Sequence, residues 1–182
     1  MGNRPEYRQA AEGLAEVLVE RAIELVYGGG NIGLMGVLAD SVLQRGGRVI
    51  GVIPESLMAR EVGHTGVSEL RLVRSMHERK AVMSDLSDGF VALPGGFGTL
   101  EEFCEVLTWS QLGIQTKPCG LINVEGYYAP LLELFNHAVR ERFLSEANRR
   151  LVLDDVDPER LLQKMAAFAP EPEPKWIGRE ER

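Results

Sequence analysis

Two short runs in this chain have residue types suited to holding an anion. The first, Leu93-Pro94-Gly95-Gly96-Phe97-Gly98-Thr99-Leu100-Glu101-Glu102, sets three glycines in four positions ahead of two carboxylates. Glycines let backbone N–H groups approach a ligand with no Cβ in the way. The apolar run Gly89 to Leu93 predicts a buried strand, and Thr99 to Gln111 has an amphipathic helical pattern. A strand, a glycine loop and a helix N-terminus in that order make an anion site. First-turn N–H groups are unpaired there, and the helix dipole turns its positive end to the loop. Phosphate suits such a site. The same residues also have a purely structural reading, since Thr99-x-x-Glu102 is a capping box that closes a first turn without any ligand.

The second run is Met76-His77-Glu78-Arg79-Lys80, opened by a further capping box, Ser75-x-x-Glu78. Most such charged helix starts are simply solvated. Two cations at a helix beginning, where the dipole disfavours positive charge, are better explained by an anion opposite them. Arg79 is the better clamp of the two because its planar fork binds phosphate bidentately. A third run, Gly28-x-Gly30-x-x-Gly33, meets the dinucleotide fingerprint after the short strand Ile23 to Tyr27. The fingerprint also wants an acid at the end of the next strand, but that strand ends Gly-Val-Ile-Pro54 with Glu55 beyond the proline. The match is partial, and no nicotinamide or other cofactor is expected.

Helices and strands alternate along the chain. Helices are predicted at Pro5–Glu20, Leu34–Arg45, His77–Leu86, Thr99–Gln111, Tyr128–Arg142 and Pro158–Phe168, the last started by Asp157. Strands are predicted at Ile23–Tyr27, Arg48–Ile53, Glu69–Val73, Gly89–Leu93, Pro118–Val124 and Leu151–Leu153. Several strands are apolar throughout, which indicates a mostly parallel sheet covered on both faces, a Rossmann-like doubly wound α/β domain. Ligands on such sheets sit outside the strand C-termini, where both glycine loops fall.

With 182 residues and 45% apolar content the chain predicts one core, taken here as a single domain over residues 1–168. The tail from 169 to 182, with Pro170, Pro172 and Pro174 and then mostly charge, is expected to be flexible. A net charge of −7 argues against a nucleic-acid polymer or a membrane surface as partner, but not against one small phosphorylated ligand. The N-terminus has no signal-like apolar stretch, so a cytoplasmic protein is expected. Cys104 and Cys119 each lie in an apolar segment and read as two reduced, buried thiols. His64, His77 and His137 are scattered, and no metal is expected.

The chain closely resembles the Lonely Guy family of cytokinin-activating phosphoribohydrolases, many of whose bacterial members were labelled possible lysine decarboxylases. The family signature Pro-Gly-Gly-x-Gly-Thr-x-x-Glu is met by Pro94, Gly95, Gly96, Gly98, Thr99 and Glu102, and its Met-His-x-Arg-Lys segment by Met76, His77, Arg79 and Lys80. The resemblance extends to Gly28–Gly36, Arg60-Glu61, Thr108–Gly113 and Asn123–Tyr128, nearly the whole chain up to Phe168.

It implies hydrolysis of the N-glycosidic bond of an N6-substituted adenosine 5′-monophosphate to free base and ribose 5-phosphate. It implies catalytic roles for Arg79 and Glu102. Nucleotide binding is implied for Glu61, Lys80, Gly95, Gly96, Phe97, Gly98, Thr99, Leu100, Glu101 and Thr108, in a homodimer or larger assembly with the site near the subunit interface. The chemistry agrees: cleaving a ribosyl bond builds positive charge on the sugar, which glycosidases answer with carboxylates. A guanidinium does not give up its proton readily, which casts Arg79 for phosphate or leaving-group stabilisation. A non-catalytic nucleotide-binding module is the alternative, because the same loops would serve a binder. A lysine decarboxylase is disfavoured, since Lys80, Lys117, Lys164 and Lys175 have no context suggesting a pyridoxal Schiff base. The family usually begins with a strand ending in a Cys-Gly-Ser-Ser type loop, whereas this chain starts after it at Met1-Gly2-Asn3-Arg4-Pro5. The expectation is a reading frame that extends upstream, the other possibility being an impaired protein whose sheet has unpaired edges.

Overall fold

The computed structural model describes residues 2–58 and 63–169. Glu61 and the tail from Pro170 lie outside the described residues. The chain divides into two compact units, Met1–Ser87 and Asp88–Arg182, each built on its own three-stranded parallel sheet.

In the first unit, helix α1 (Pro5–Glu20) starts on Pro5, whose missing N–H costs nothing in a first turn, and it buries Ala10, Ala11, Leu14, Ala15 and Leu18. These small and branched residues pack against α2 (Gly33–Gln44). Strand β1 (Leu25–Tyr27) pairs with β2 (Val49–Pro54), which pairs with β3 (Glu69–Val73). Every residue of β2 is buried, so both faces of that sheet are covered. A one-turn helix α3 (Glu55–Met58), unforeseen in the sequence, follows β2, and α4 (Met76–Leu86) follows β3.

The second unit repeats the plan. Strand β4 (Phe90–Ala92) leads through α5 (Phe97–Gln111) to β5 (Cys119–Ile122), and then through α6 (Ala129–Arg140) and the short α7 (Glu146–Arg149) to β6 (Val152–Asp155) and α8 (Pro158–Ala166). The order is β4-β5-β6, all parallel, with Phe90 opposite Cys119 and Cys119 opposite Val152. Strand β5 is buried at all four positions. Phe103 fixes α5 to this sheet, in a cluster with Ala92, Cys119, Leu121, Tyr128, Leu132 and Val152. Its loss to alanine would cost about 3–5 kcal/mol. Asp157 caps α8 by accepting the Arg160 N–H at 2.9 Å, as its position before Pro158 predicts. This is the Rossmann-like α/β arrangement the patterning indicates. Each of the two strands that runs into a glycine loop, β1 and β4, lies at the edge of its sheet.

Candidate active site

In the second unit β4 ends at Ala92, and the chain passes through Leu93-Pro94-Gly95-Gly96 into α5. The helix begins at Phe97, two residues before the expected start. Gly96 occupies the N-cap position and no side chain caps the turn. The Thr99-x-x-Glu102 capping box is therefore corrected: Thr99 already lies inside the first turn, with its side chain packed on Gly95. A methyl group built on Gly95 would collide with Thr99 Oγ1 and lie 2.7 Å from its Cβ. Gly96 and Gly98 are different, since nothing among the described residues lies within 4 Å of a methyl group built on either. Phe97 stands between them, 93% exposed.

Two tyrosines hold the loop from behind. Tyr128 Oη donates to the Leu93 carbonyl at 2.6 Å, and Tyr127 Oη to the Gly95 carbonyl at 2.5 Å. Their rings meet edge to face with centroids 5.0 Å apart. Tyr128 is 1% exposed, and burial first, then the neighbouring Tyr127, pushes its phenol well above the ordinary range, so it stays a donor. Its own position is set by Asn123, whose Oδ1 accepts the Tyr128 N–H at 2.7 Å and whose N–H donates to the Asp155 carbonyl at 2.8 Å. With two loop carbonyls committed to phenols, what the turn offers a ligand is its amides and the positive end of a 15-residue helix with no acidic residue in its first turn.

Along α5, Phe97, Glu101, Cys104 and Thr108 fall on one exposed stripe. Leu100 and Glu102 are half-buried on either side of it. Thr108 lies about 15 Å along the axis from Gly98 at 1.5 Å per residue. Its hydroxyl donates to the Cys104 carbonyl at 2.8 Å. Within this unit, then, Thr108 does not join the loop and Glu102. Cys104 is exposed, which corrects the expectation of two buried thiols, while Cys119 is buried.

In the first unit Ser75 caps α4 as expected, its Oγ accepting the Glu78 N–H at 3.1 Å, while the Glu78 carboxylate accepts the Arg74 N–H at 2.7 Å. This start places Arg79 at the end of the first turn, where it is 6% exposed, with Nε donating to the Val52 carbonyl at 3.2 Å. Lys80 follows, half-buried. The chain after the undescribed segment is tied to the first glycine loop. Gly63 bridges Gly30, the His64 N–H donates to the Gly29 carbonyl at 2.8 Å, and the His64 ring bonds Asp40 at 3.0 Å. The Gly66 N–H donates to His64 Nδ1 at 3.1 Å, which leaves Nε2 to carry the proton toward Asp40.

The roles of Tyr127, Tyr128 and Asn123 went unread in the sequence. The signal available was a pair of tyrosines just beyond the C-terminal end of β5, because a buried phenol needs an acceptor and the neighbouring strand's loop ends at the same edge.

A family model described as "Possible lysine decarboxylase" matches residues 35–165. The cytokinin riboside 5′-monophosphate phosphoribohydrolase LOG of Oryza sativa subsp. japonica is 51% identical over 170 residues, 93% of this chain and 70% of that protein. A cytokinin riboside 5′-monophosphate phosphoribohydrolase of Arabidopsis thaliana is 50% identical over 169 residues, 93% of this chain and 79% of that one. Among solved structures, a molybdenum cofactor binding protein from Rippkaea orientalis superposes with a TM-score of 0.68 at 20% identity, over 90% of this chain and 88% of its own. The molybdenum cofactor carrier protein of Chlamydomonas reinhardtii gives 0.66 at 18% identity, over 91% of each chain. At such identities these two structures speak for the fold alone.

Proposed function

The chain belongs to the Lonely Guy family, the one labelled possible lysine decarboxylase, and we propose that it hydrolyses the N-glycosidic bond of cytokinin riboside 5′-monophosphates, releasing free base and ribose 5-phosphate. The observation that carries the proposal is the turn Leu93–Gly98, open at Gly96 and Gly98 and braced by two phenols on the Leu93 and Gly95 carbonyls. A 5′-phosphate is the part of such a nucleotide that fits an array of amides at a helix N-terminus. In this reading residues 1–168 work as one nucleotide-hydrolysing domain. Gly95, Gly96, Phe97, Gly98, Thr99, Leu100 and Glu101 bind the nucleotide with Lys80 and Glu61, its phosphate meeting the glycine amides.

Glu102 faces the sugar carbon as it becomes cationic. A carboxylate about 3.5 Å from that charge is worth roughly 5 kcal/mol at an effective dielectric near 20. Only the part that is new in the transition state accelerates the step. Arg79 stabilises the phosphate or the departing base, because a guanidinium supplies charge and donors but does not surrender a proton readily. We assign Thr108 to nucleotide binding about 15 Å along α5 from the glycine turn, in a homodimer or larger assembly whose site lies near the subunit interface. The exposed Phe97, Leu134 and Phe143 supply apolar surface for such an assembly. No helix among the described residues is long and apolar enough to cross a membrane.

The test is chromatographic detection of free base from isopentenyladenosine monophosphate and from AMP. Glu102→Gln should lower kcat about a thousandfold, near 4 kcal/mol. Folded protein that binds these nucleotides and releases no base would establish a binding module instead. An amide variant as fast as the parent would remove Glu102 from the chemistry.

A further inference from the structure

The triplet Gly28-Gly29-Gly30 looks in sequence like part of a dinucleotide loop, but its first member does something else. A methyl group built on Gly28 would overlap Nη2 of Arg79 and lie 2.8 Å from its Cζ and 3.3 Å from its Nε. Gly29 needs to be glycine for its backbone, with φ at +70°, whereas Gly28 is not among the glycines of positive φ. What Gly28 contributes is room. The guanidinium lies against its Cα on one side, and Nε is tied to the Val52 carbonyl at 3.2 Å. Both contacts come from neighbouring strands, since Gly28 directly follows β1 and Val52 belongs to β2, with Tyr27 paired to Gly51. Helix α4 supplies the third constraint by starting one turn before Arg79 on the Ser75 cap. A long side chain with four rotatable bonds is thereby confined to one direction, the condition for a fork to meet an anion at fixed geometry.

We propose that Gly28 is a positioning residue of the hydrolysis, acting only through Arg79: it is the seat that aims the guanidinium. The inference rests on the reading of Arg79 given above. A Cβ at position 28 leaves the guanidinium nowhere to lie except displaced by an ångström or more, and a shift of that size costs about a hundredfold in rate.

The experiment is a double-mutant cycle on the full chain, read by base release and by thermal melting. Gly28→Ala should lower kcat/KM about a hundredfold, mainly through kcat where Arg79 serves the departing base and mainly through KM where it serves the phosphate. The same substitution added to Arg79→Ala should cost less than about twofold, because no guanidinium remains to be displaced. Added to Arg79→Lys, whose ammonium has no fork to overlap the new methyl, it should again cost little. A purely structural role for Gly28 predicts equal losses in all three backgrounds, and that result overturns the proposal. If Gly28→Ala alone does not fold, restored folding in the Arg79→Ala background supports the seat, and continued misfolding overturns it. Gly28→Ala with the parental kcat/KM overturns the seat and leaves the role of Arg79 standing. Arg79→Ala with the parental kcat/KM removes Arg79 from the reaction, and Gly28 with it.

Discussion

Replacing Gly98 by alanine separates what the fold requires of the glycine turn from what a ligand requires. Gly98 is the second residue of α5, and nothing among the described residues lies within 4 Å of a methyl group placed there. The fold therefore has no steric need for glycine. Glycine is less favourable than alanine by up to about 1 kcal/mol in a helix interior. Near the first turn about half of that applies, so Gly98→Ala should stabilise the protein by about 0.5 kcal/mol and raise Tm by roughly 1–2 °C for a chain of this size. Nucleotide binding should move the other way. A new methyl beside the amides keeps a phosphate oxygen from hydrogen-bond distance, and losing one charge-assisted hydrogen bond costs about 1.5–3 kcal/mol. That is about a tenfold to 150-fold rise in KM, with kcat changed much less because the phosphate is held alike in ground and transition states. The control is Gly95→Ala, whose methyl would strike Thr99 inside the fold and should destabilise by about 1–3 kcal/mol. Steady-state kinetics and differential scanning fluorimetry on the two variants read both axes. A Gly98→Ala protein that is more stable yet keeps the parental KM would show that no ligand approaches residue 98, and the phosphate assignment of the turn would fall.

Three further outcomes follow from the geometry. Tyr128→Phe should cost about 1–3 kcal/mol of stability by leaving the Leu93 carbonyl without its phenol, while Tyr127→Phe, at a more exposed position, should mainly raise KM about threefold to tenfold; calorimetry and kinetics check the pair. Arg160 holds the Asp155 carboxyl well below the usual carboxylate range, assisted by the Asp157 N–H and Lys164. A depressed folded-state pKa means the unfolded chain binds the proton more readily, so the stabilisation is full above about pH 4 and is lost as pH falls further. Asp155→Asn should thus cost about 1 kcal/mol at pH 7, since both cations are largely solvated, and the gap in Tm from the parent should close below pH 4; a gap unchanged at pH 3 would refute it. In thiol labelling, exposed Cys104 should react in the native state, slowly because burial and the charge of Glu101 push its thiol up. Cys119, enclosed and pushed up by burial to about 11, should react only on unfolding.

Local pattern was enough for much of this fold. The apolar stripe after Pro5 predicts α1 with the bounds Pro5–Glu20, and the run Glu69–Val73 predicts β3 as it stands. It failed where the deciding partner lies far along the chain or where a segment is too short to have a period. Helix α5 starts on a backbone turn at Gly96, and the Thr-x-x-Glu pattern inside it masqueraded as a start. Helix α7 spans one turn, begun by Ser145, whose Oγ accepts the Asn148 N–H at 3.0 Å. Cys104 has apolar neighbours in sequence, but a helix distributes successive residues around its axis, and its side falls with Glu101 and Thr108. The tyrosine braces join residues 32 and 35 positions apart, a separation no local window contains.

The two glycine clusters show why composition alone could not sort their roles. Both follow an edge strand of a parallel sheet and both precede a helix, so they share one sequence signature. They part only when each missing side chain is asked what it would have met. At Gly28 the answer is a buried guanidinium from the same unit, which occupies the space a pyrophosphate would need beside that residue. At Gly96 and Gly98 the answer is open space. In the proposed function the α5 start gives up helix propensity to let a phosphate reach its amides and the positive end of its dipole. In the proposed reading, Gly28 aims the Arg79 guanidinium and the turn at Gly96 and Gly98 receives the 5′-phosphate.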